Sequence, residues 1–333
     1  DYEVDSHVNE YTIGQDLQID AKLMNYDLMA TSAHVSMLHS VGILDIEEHS
    51  LVQNAIKILK LRCSKQGFAI PNKYEDGHSY IEAELIKICG DPGKKVHFLR
   101  SRNDQALVML RLFAIDILKE IDTQVQILQK SLSTVRSRHR GTHMPGYTHM
   151  QKAMPTTVDT WIESFADALV DIRLSSNVEA VLDQNPLGSG AGYGFVGQKI
   201  KPDQKHTSKV LGFKRVQKNP MHCSMSRGLY ESMVLSQLYP YMVLASQWAS
   251  DNLLFTMEEF EFVSLPDEFT TGSSIMPQKR NYDVYEIMRG NQSIFWGYST
   301  QINGIIAKRT SGYQRDLQLT KKPFVEACEI VLA

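Results

Sequence analysis

The 333 residues suffice for about two or three packed units, and 43% hydrophobic with 22% charged residues is an ordinary globular composition. A formal charge of −3 excludes the basic excess of a nucleic-acid binder. Four scattered cysteines without a CxxC pair, no apolar run near eighteen residues and no opening signal peptide exclude a disulfide framework and a membrane partner, and set the expectation of a cytoplasmic protein.

Leu17, Ala21, Met24, Leu28, Val35 and Leu38 keep helical spacing, predicting a helix that Gly42 ends. Asp45 with Glu48 has the form of a capping box for a second helix carrying Leu51, Val52, Ala55, Ile56 and Leu59. Gly67 and Pro71 then break the chain, and "EDGHSYIEAE" places His78 beside Glu75 and Asp76. After Ser101 comes the strongest pattern: Leu107, Leu110, Ala114, Ile117, Ile121, Val125, Leu128, Leu132 and Val135 alternate by three and four. No Gly or Pro interrupts residues 102–140. A helix of that length runs roughly 50 Å and buries its stripe in an elongated bundle. At its start, "LRSRNDQ" offers Ser101 or Asn103 as a cap, while Arg100, Arg102 and Asn103 beside exposed N–H groups suit a carboxylate. Arg136, Arg138 and Arg140 read as a solvated end that complements the helix dipole.

"MPGYTHMQKAMP" is a Pro- and Gly-bounded segment opening a helix with Trp161, Phe165, Leu169 and Ile172. It crowds Tyr147, Thr148, His149 and Gln151 into five residues. "GYGFVG" (192–197) matches GxGxxG but lacks the flanking strand and helix of a dinucleotide site, so it reads as a Gly-rich connection. A further helix spans Met225 to Phe260, with a kink expected at Pro240, and "FEFVSL" (260–265) reads as a small hairpin element. "TTGSSIMPQKRN" (270–281) can continue no helix. The helix after it, from Tyr282 to about Ala307, carries Gly290, Gly297 and Gly304 in one stripe, which predicts close helix–helix contact. "GYQRDLQLTKK" (312–322) adds Tyr313, Arg315, Gln318 and Lys321. The class is all-α with minor β. No HExxH or paired ligand spacing marks a metal site. Polar clusters beside several long helices point to a polyanionic substrate held between helices.

"GSSIMPQKRN" resembles the signature loop of the fumarase/aspartase superfamily, and "SRNDQ", "PGYTHMQKAMP" and "YQRDLQLTK" are similar to its argininosuccinate lyase branch. The resemblance runs from "GQDLQID" to "KKPFVEA". It implies a homotetramer with a long-helix central bundle of about twenty helices, five per subunit. Each active site is then shared by three subunits, and argininosuccinate is cleaved to arginine and fumarate without metal or cofactor. The implied domains are a helical N-terminal region (1–100), a central bundle with the catalytic loop (101–322) and the start of a C-terminal helical domain (323–333). The implied catalytic groups are Ser273, His149, Lys279 and Glu286, with Glu286 orienting His149 across a subunit interface. Ser273 and His149 carry the two proton transfers, one taking the proton and the other protonating the leaving guanidinium. Lys279 meets charge developing on the substrate or on Ser273. Asn103, Thr148, Asn281, Tyr313, Gln318 and Lys321 are implied to bind substrate, and Arg102 and His78 join them as candidate substrate-binding residues.

The chain departs from the pattern at Phe98-Leu99, where a small residue and glycine are usual before "RSRND", at Asp16 in place of a substrate-contacting serine, and at Tyr282 in place of proline. The opening Trp-Gly-Gly-Arg-Phe run and most of the C-terminal helical domain are absent. Two alternatives stand beside this reading. Another fumarate-releasing lyase fits "YTHMQKAMP" and "YQRDLQLTK" poorly, and a silent crystallin-like homologue fits poorly with the retained Ser273, His149, Lys279 and Glu286.

Overall fold

The computed structural model describes residues 6–13, 16–195 and 199–333. Its first helices are α1 (Ser6–Ile13), α2 (Asp16–Ser40), α3 (Ile46–Cys63), α4 (Gly77–Cys89), α5 (Asp91–Lys95) and α6 (Arg102–Arg138). There follow α7 (Val158–Asp171), α8 (Ser176–Leu182), α9 (Gln204–Leu211), α10 (Pro220–Ser226), α11 (Leu229–Phe255), α12 (Asp283–Ile306) and α13 (Lys321–Leu332). The strands among the described residues form three small pairs. Antiparallel β1 (His143–Thr148) and β2 (Gln151–Thr157) make one; parallel β3 (Gln184–Asn185) and β4 (Arg215–Val216) make another; antiparallel β5 (Thr271–Gly272) and β6 (Arg280–Asn281) make the third. The fold is all-α with minor β. Among the described residues no helix is long and apolar enough to cross a membrane.

The chain divides into two units built from non-contiguous segments. The first comprises Asp1–Ile117, Ser176–Met233 and Gln301–Val325; the second comprises Leu118–Ser175, Val234–Thr300 and Glu326–Ala333. The core of the first unit gathers around α2. Met24, Leu28, Val35 and Leu38 pack with Val52, Ile56 and Leu59 of α3 and with Tyr80, Ile81 and Leu85 of α4. A helix enclosed on nearly every side must be apolar or carry paired polar groups. Helix α2 does both, since Asp20 and Asp27 are also buried. The capping box of α3 forms as its residues predict: Asp45 accepts from the N–H groups of Glu47 and Glu48, and Glu48 accepts from Asp45 N–H.

Helix α6 follows the predicted span closely. Its stripe is buried at Leu107, Leu110, Ala114, Ile121 and Leu132, yet Leu128 and Val135 are exposed. The single helix expected from Met225 to Phe260 is interrupted: Met225 belongs to α10, Gly228 with φ 79° separates it from α11, and α11 runs through Pro240 but ends at Phe255. Two further expectations fail. "FEFVSL" forms no strand, because the N–H groups of Phe262 and Val263 bond to Phe255 O at the end of α11 (2.9 and 3.2 Å). Its alternating aromatics pack as rings instead, Phe262 against Phe255 and Phe260. The glycine stripe of α12 makes no close contact within the chain either. A Cβ added at Gly290, Gly297 or Gly304 would have no atom within 4 Å. The buried face of α12 is the opposite one, carried by Tyr285, Phe295, Ser299 and Ile302.

Candidate active site

In the first unit, a pocket of about 170 Å³ is lined by Asn103, Arg102, His78, Tyr313, Gln318 and Lys321, all six of them candidates from the sequence. Glu75, Asp76, Arg227 and Arg315 complete its polar wall. Local rules place these groups. Asp76 is the N-cap of α4 and accepts from Ser79 N–H (2.7 Å), which fixes the turn carrying His78. Arg102 and Asn103 open α6, and the 3-10 turn Arg315–Thr320 leads into Lys321 at the start of α13.

His78 is 9% exposed, and its Nδ1 lies 2.5 Å from Asp27 Oδ2. Burial opposes the ring's charge, but the Asp27 carboxylate, assisted by Asp76 and Asp20, holds His78 above its ordinary pKa. Burial likewise raises Asp27, yet His78, then Arg100 and Gln105, hold it below the usual carboxylate range. Each partner thus favours the charged form of the other. Lys321 Nζ donates to Asp20 Oδ1 (2.5 Å) and lies 3.5 Å from Asp16 Oδ1. Asp16, where relatives are expected to carry serine, thus sits on this cation, and burial pushes its own pKa up. Glu75 bridges Arg102 and Arg315 through its two oxygens, 2.9 Å from each guanidinium.

Arg227 was not foreseen. It is 4% exposed, its guanidinium lies 6.0 Å from the Tyr313 ring, and its Nε has no partner among the described residues. A lone arginine in "SMSRGLY" carries no motif. Its one local signal is Gly228, whose φ of 79° and contact with Ile306 leave no room for a Cβ. Arg102, Arg227, Arg315 and Lys321, with His78, thus line the pocket against Glu75 and Asp76. Such a wall suits a ligand with more than one carboxylate.

The unused GxGxxG run begins here too, though Val196 and Gly197 lie outside the described residues. Upstream of it, Gly188 and Gly190 N–H groups bond to Asp104 Oδ2 (2.9 Å each). Burial nevertheless holds Asp104 up at about 6.

The other candidates belong to the second unit. "MPGYTHMQKAMP" is a β-hairpin rather than a simple turn, and His149 with Met150 forms its two-residue loop, paired through Thr148 and Gln151. Their φ angles of 53° and 60° are left-handed, the geometry that hairpin loops normally assign to Asn and Gly. Such strain in non-glycine residues costs of order 1–3 kcal/mol and concentrates at functional sites. It holds the His149 side chain exposed at the tip. Inside the hairpin, a Cβ at Gly146 would meet Met154 O at 2.6 Å, so only glycine permits the pairing there.

The 273–279 loop is pinched by the β5–β6 ladder, and Thr271 Oγ1 donates to Asp283 at the start of α12 (2.6 Å). Ser273 Oγ accepts from the N–H groups of Ile275 (3.3 Å) and Met276 (3.1 Å). Two aimed N–H groups stabilise negative charge on that oxygen. Asn281 Nδ2 donates to Gly272 O (3.4 Å). Lys279 is exposed, as is Glu286 in the first turn of α12. At the loop's crest Ile275 is 85% exposed. Among the described residues no three His, Cys, Asp or Glu side chains gather as a metal site.

A family model described as lyase matches residues 5–295. The argininosuccinate lyase of Sorangium cellulosum is 40% identical over 99% of this chain and 76% of its own length. That of Thermotoga neapolitana is 40% identical over 99% of this chain and 82% of its own length. Among solved structures, a fumarate lyase:delta crystallin from Brucella melitensis superimposes with a TM-score of 0.78 at 16% identity, covering 98% of this chain and 80% of that one. An EDDS lyase in complex with formate gives 0.72 at 22% identity, covering 99% and 67%. These structural likenesses speak to the fold.

Proposed function

The chain belongs to the lyase family that includes the argininosuccinate lyases, and we propose on that premise that it cleaves argininosuccinate to arginine and fumarate by β-elimination. The observation that carries this reading is the cationic pocket around His78, Arg102, Asn103, Arg227, Tyr313 and Lys321. Removing a proton beside a substrate carboxylate builds negative charge on that carboxylate, and preorganised cations meet it without reorganisation. The C–N bond then breaks, its electron pair leaves with the guanidino nitrogen, and a proton completes arginine.

The two N–H groups on Ser273 Oγ support an alkoxide there, so Ser273 takes the proton. His149, offered at a strained hairpin tip, returns one to the leaving group. Lys279 and Asn281 supply charge and amide donors from the same loop, Thr148 supplies a hydroxyl beside His149, and Glu286 orients the imidazole.

The protein works as a homotetramer in which segments of three subunits complete each site. The open glycine face of α12, flanked by exposed Ile287 and Ile294, and the exposed Leu128 and Val135 of α6 support burial against other copies of the chain. Four scattered cysteines without a CxxC pair suit a cytoplasmic setting. The test is fumarate release, followed by ultraviolet absorbance, with argininosuccinate and with other fumarate-yielding substrates. Turnover of argininosuccinate is expected; turnover of a rival alone rejects the reading. Mixing Ser273→Ala with His149→Asn subunits should restore part of the activity, and no recovery after co-refolding rejects shared sites.

A further inference from the structure

Two carboxylates stand seven residues apart on α2, Asp20 and Asp27, only 2% and 1% exposed. Seven residues are about two helical turns, so both point from one side of the helix. Each divides its oxygens in the same manner. Asp20 gives Oδ1 to Lys321 Nζ (2.5 Å) and Oδ2 to Gly77 N–H (2.8 Å), the residue before His78. Asp27 gives Oδ2 to His78 Nδ1 (2.5 Å) and Oδ1 to Gln105 Nε2 (2.6 Å), two residues beyond Asn103. One oxygen of each thus holds a pocket cation, and the other holds the element that carries a neighbouring pocket group.

We propose that Asp20 and Asp27 are positioning residues: from one face of α2 they orient Lys321 and His78 and set the register of α4 and α6, so that both cations meet a substrate carboxylate. The inference rests on the reaction proposed above. Two physical arguments separate it from simple packing. A buried ion pair is seldom the more stable choice, because well-packed apolar residues of similar volume do as well or better. Stability therefore does not account for two such pairs at the wall of one pocket. The geometry also restricts what each cation can offer. With Nδ1 committed to Asp27, the His78 ring addresses a ligand only through Nε2–H. With Asp20 and Asp16 both on the Lys321 ammonium, its remaining donor is held in a fixed direction.

The test compares Asp20→Asn and Asp27→Asn with the wild-type full chain, beside Asp27→Leu, which replaces the carboxylate by an apolar group of similar bulk. KM for argininosuccinate and the Kd of fumarate by calorimetry should each rise about ten- to hundredfold, the loss expected for a hydrogen bond to a charged group. At saturation kcat should fall as well, because the same cations meet the charge that builds on that carboxylate as the proton leaves. A strongly deshielded imidazole N–H proton resonance should be present in wild type and lost in both Asp27 variants and in His78→Asn. Unchanged KM and Kd in folded variants, or a fall in kcat alone, overturns the proposal. So does absence of that resonance from wild type, an outcome readable even if every variant unfolds. Wild type that binds fumarate without cleaving argininosuccinate rejects the assigned reaction instead, and the fumarate titrations still judge Asp20 and Asp27.

Discussion

The pocket of the first unit and the loop and hairpin of the second differ in what surrounds their polar groups. In the pocket, His78 and Lys321 are buried and each is met by an aspartate. On the loop, Ser273 is met by main-chain N–H groups, and Lys279, Glu286 and His149 are exposed. The difference follows from solvation. A cation cannot be buried without a partner already in place, so binding charge is prepared before substrate arrives. Groups that move protons in water need no such partner, and they gain their environment when the site is completed. Damage to the pocket should therefore weaken binding and stability together, whereas damage to the loop should remove rate and leave stability alone.

The largest effect is expected from Ser273→Ala, with kcat reduced about 10³–10⁴-fold, KM near wild type and an unchanged melting temperature. A variant retaining a third of the rate would remove the loop from proton transfer. His149→Asn comes next, with a loss of about 10²–10³-fold in kcat. Asparagine tolerates positive φ, so the hairpin should keep its register, which hydrogen exchange at Thr148 and Gln151 can verify. On the pocket side, Arg227→Gln should raise KM about ten- to hundredfold with a smaller change in kcat, since a desolvated charge contact to substrate is lost.

The smallest effect is one of pH. Despite burial, Asp27 raises the folded pKa of His78, so the stability it contributes is full below the unfolded pKa and fades as pH rises through the folded one. His78→Gln should therefore lower the melting temperature by about 2–4 °C more at pH 6 than at pH 9. Ser273→Ala should show no difference at either pH. An equal deficit at both pH values for His78→Gln would mean that its charge does not stabilise the fold, and the contrast between the two regions would shrink to one of exposure.

The long elements were legible because their signals are local. The alternation from Leu107 to Val135 places α6, and the Asp45–Glu48 pair places the start of α3, to within a residue or two. The pocket's six candidates were legible as polar clusters, although their convergence on one cavity was not. Arg227 was missed because one arginine between two helices has no periodic or motif partner. The 143–157 hairpin was missed because its loop is His-Met instead of a glycine or asparagine turn, so the usual marker is absent. "FEFVSL" misled because alternation reports which side chains seek cover; it does not report where the backbone N–H groups go, and these were taken by the end of α11.

Residue order alone settles the all-α class, the bounds of α6 and α12, the start of α3 and the composition of the 270–281 loop, since spacing, capping and turn chemistry act within a few neighbours. It also carries the family likeness. Which charges face one another is a matter of contacts between segments distant in the chain. Asp20 reaches Lys321 across some three hundred residues, and Asp27 reaches His78 and Gln105 from a helix whose periodicity marks it only as core. No local rule predicts such partners, because the cost of burying a charge is resolved by whichever group the completed fold brings within hydrogen-bonding distance.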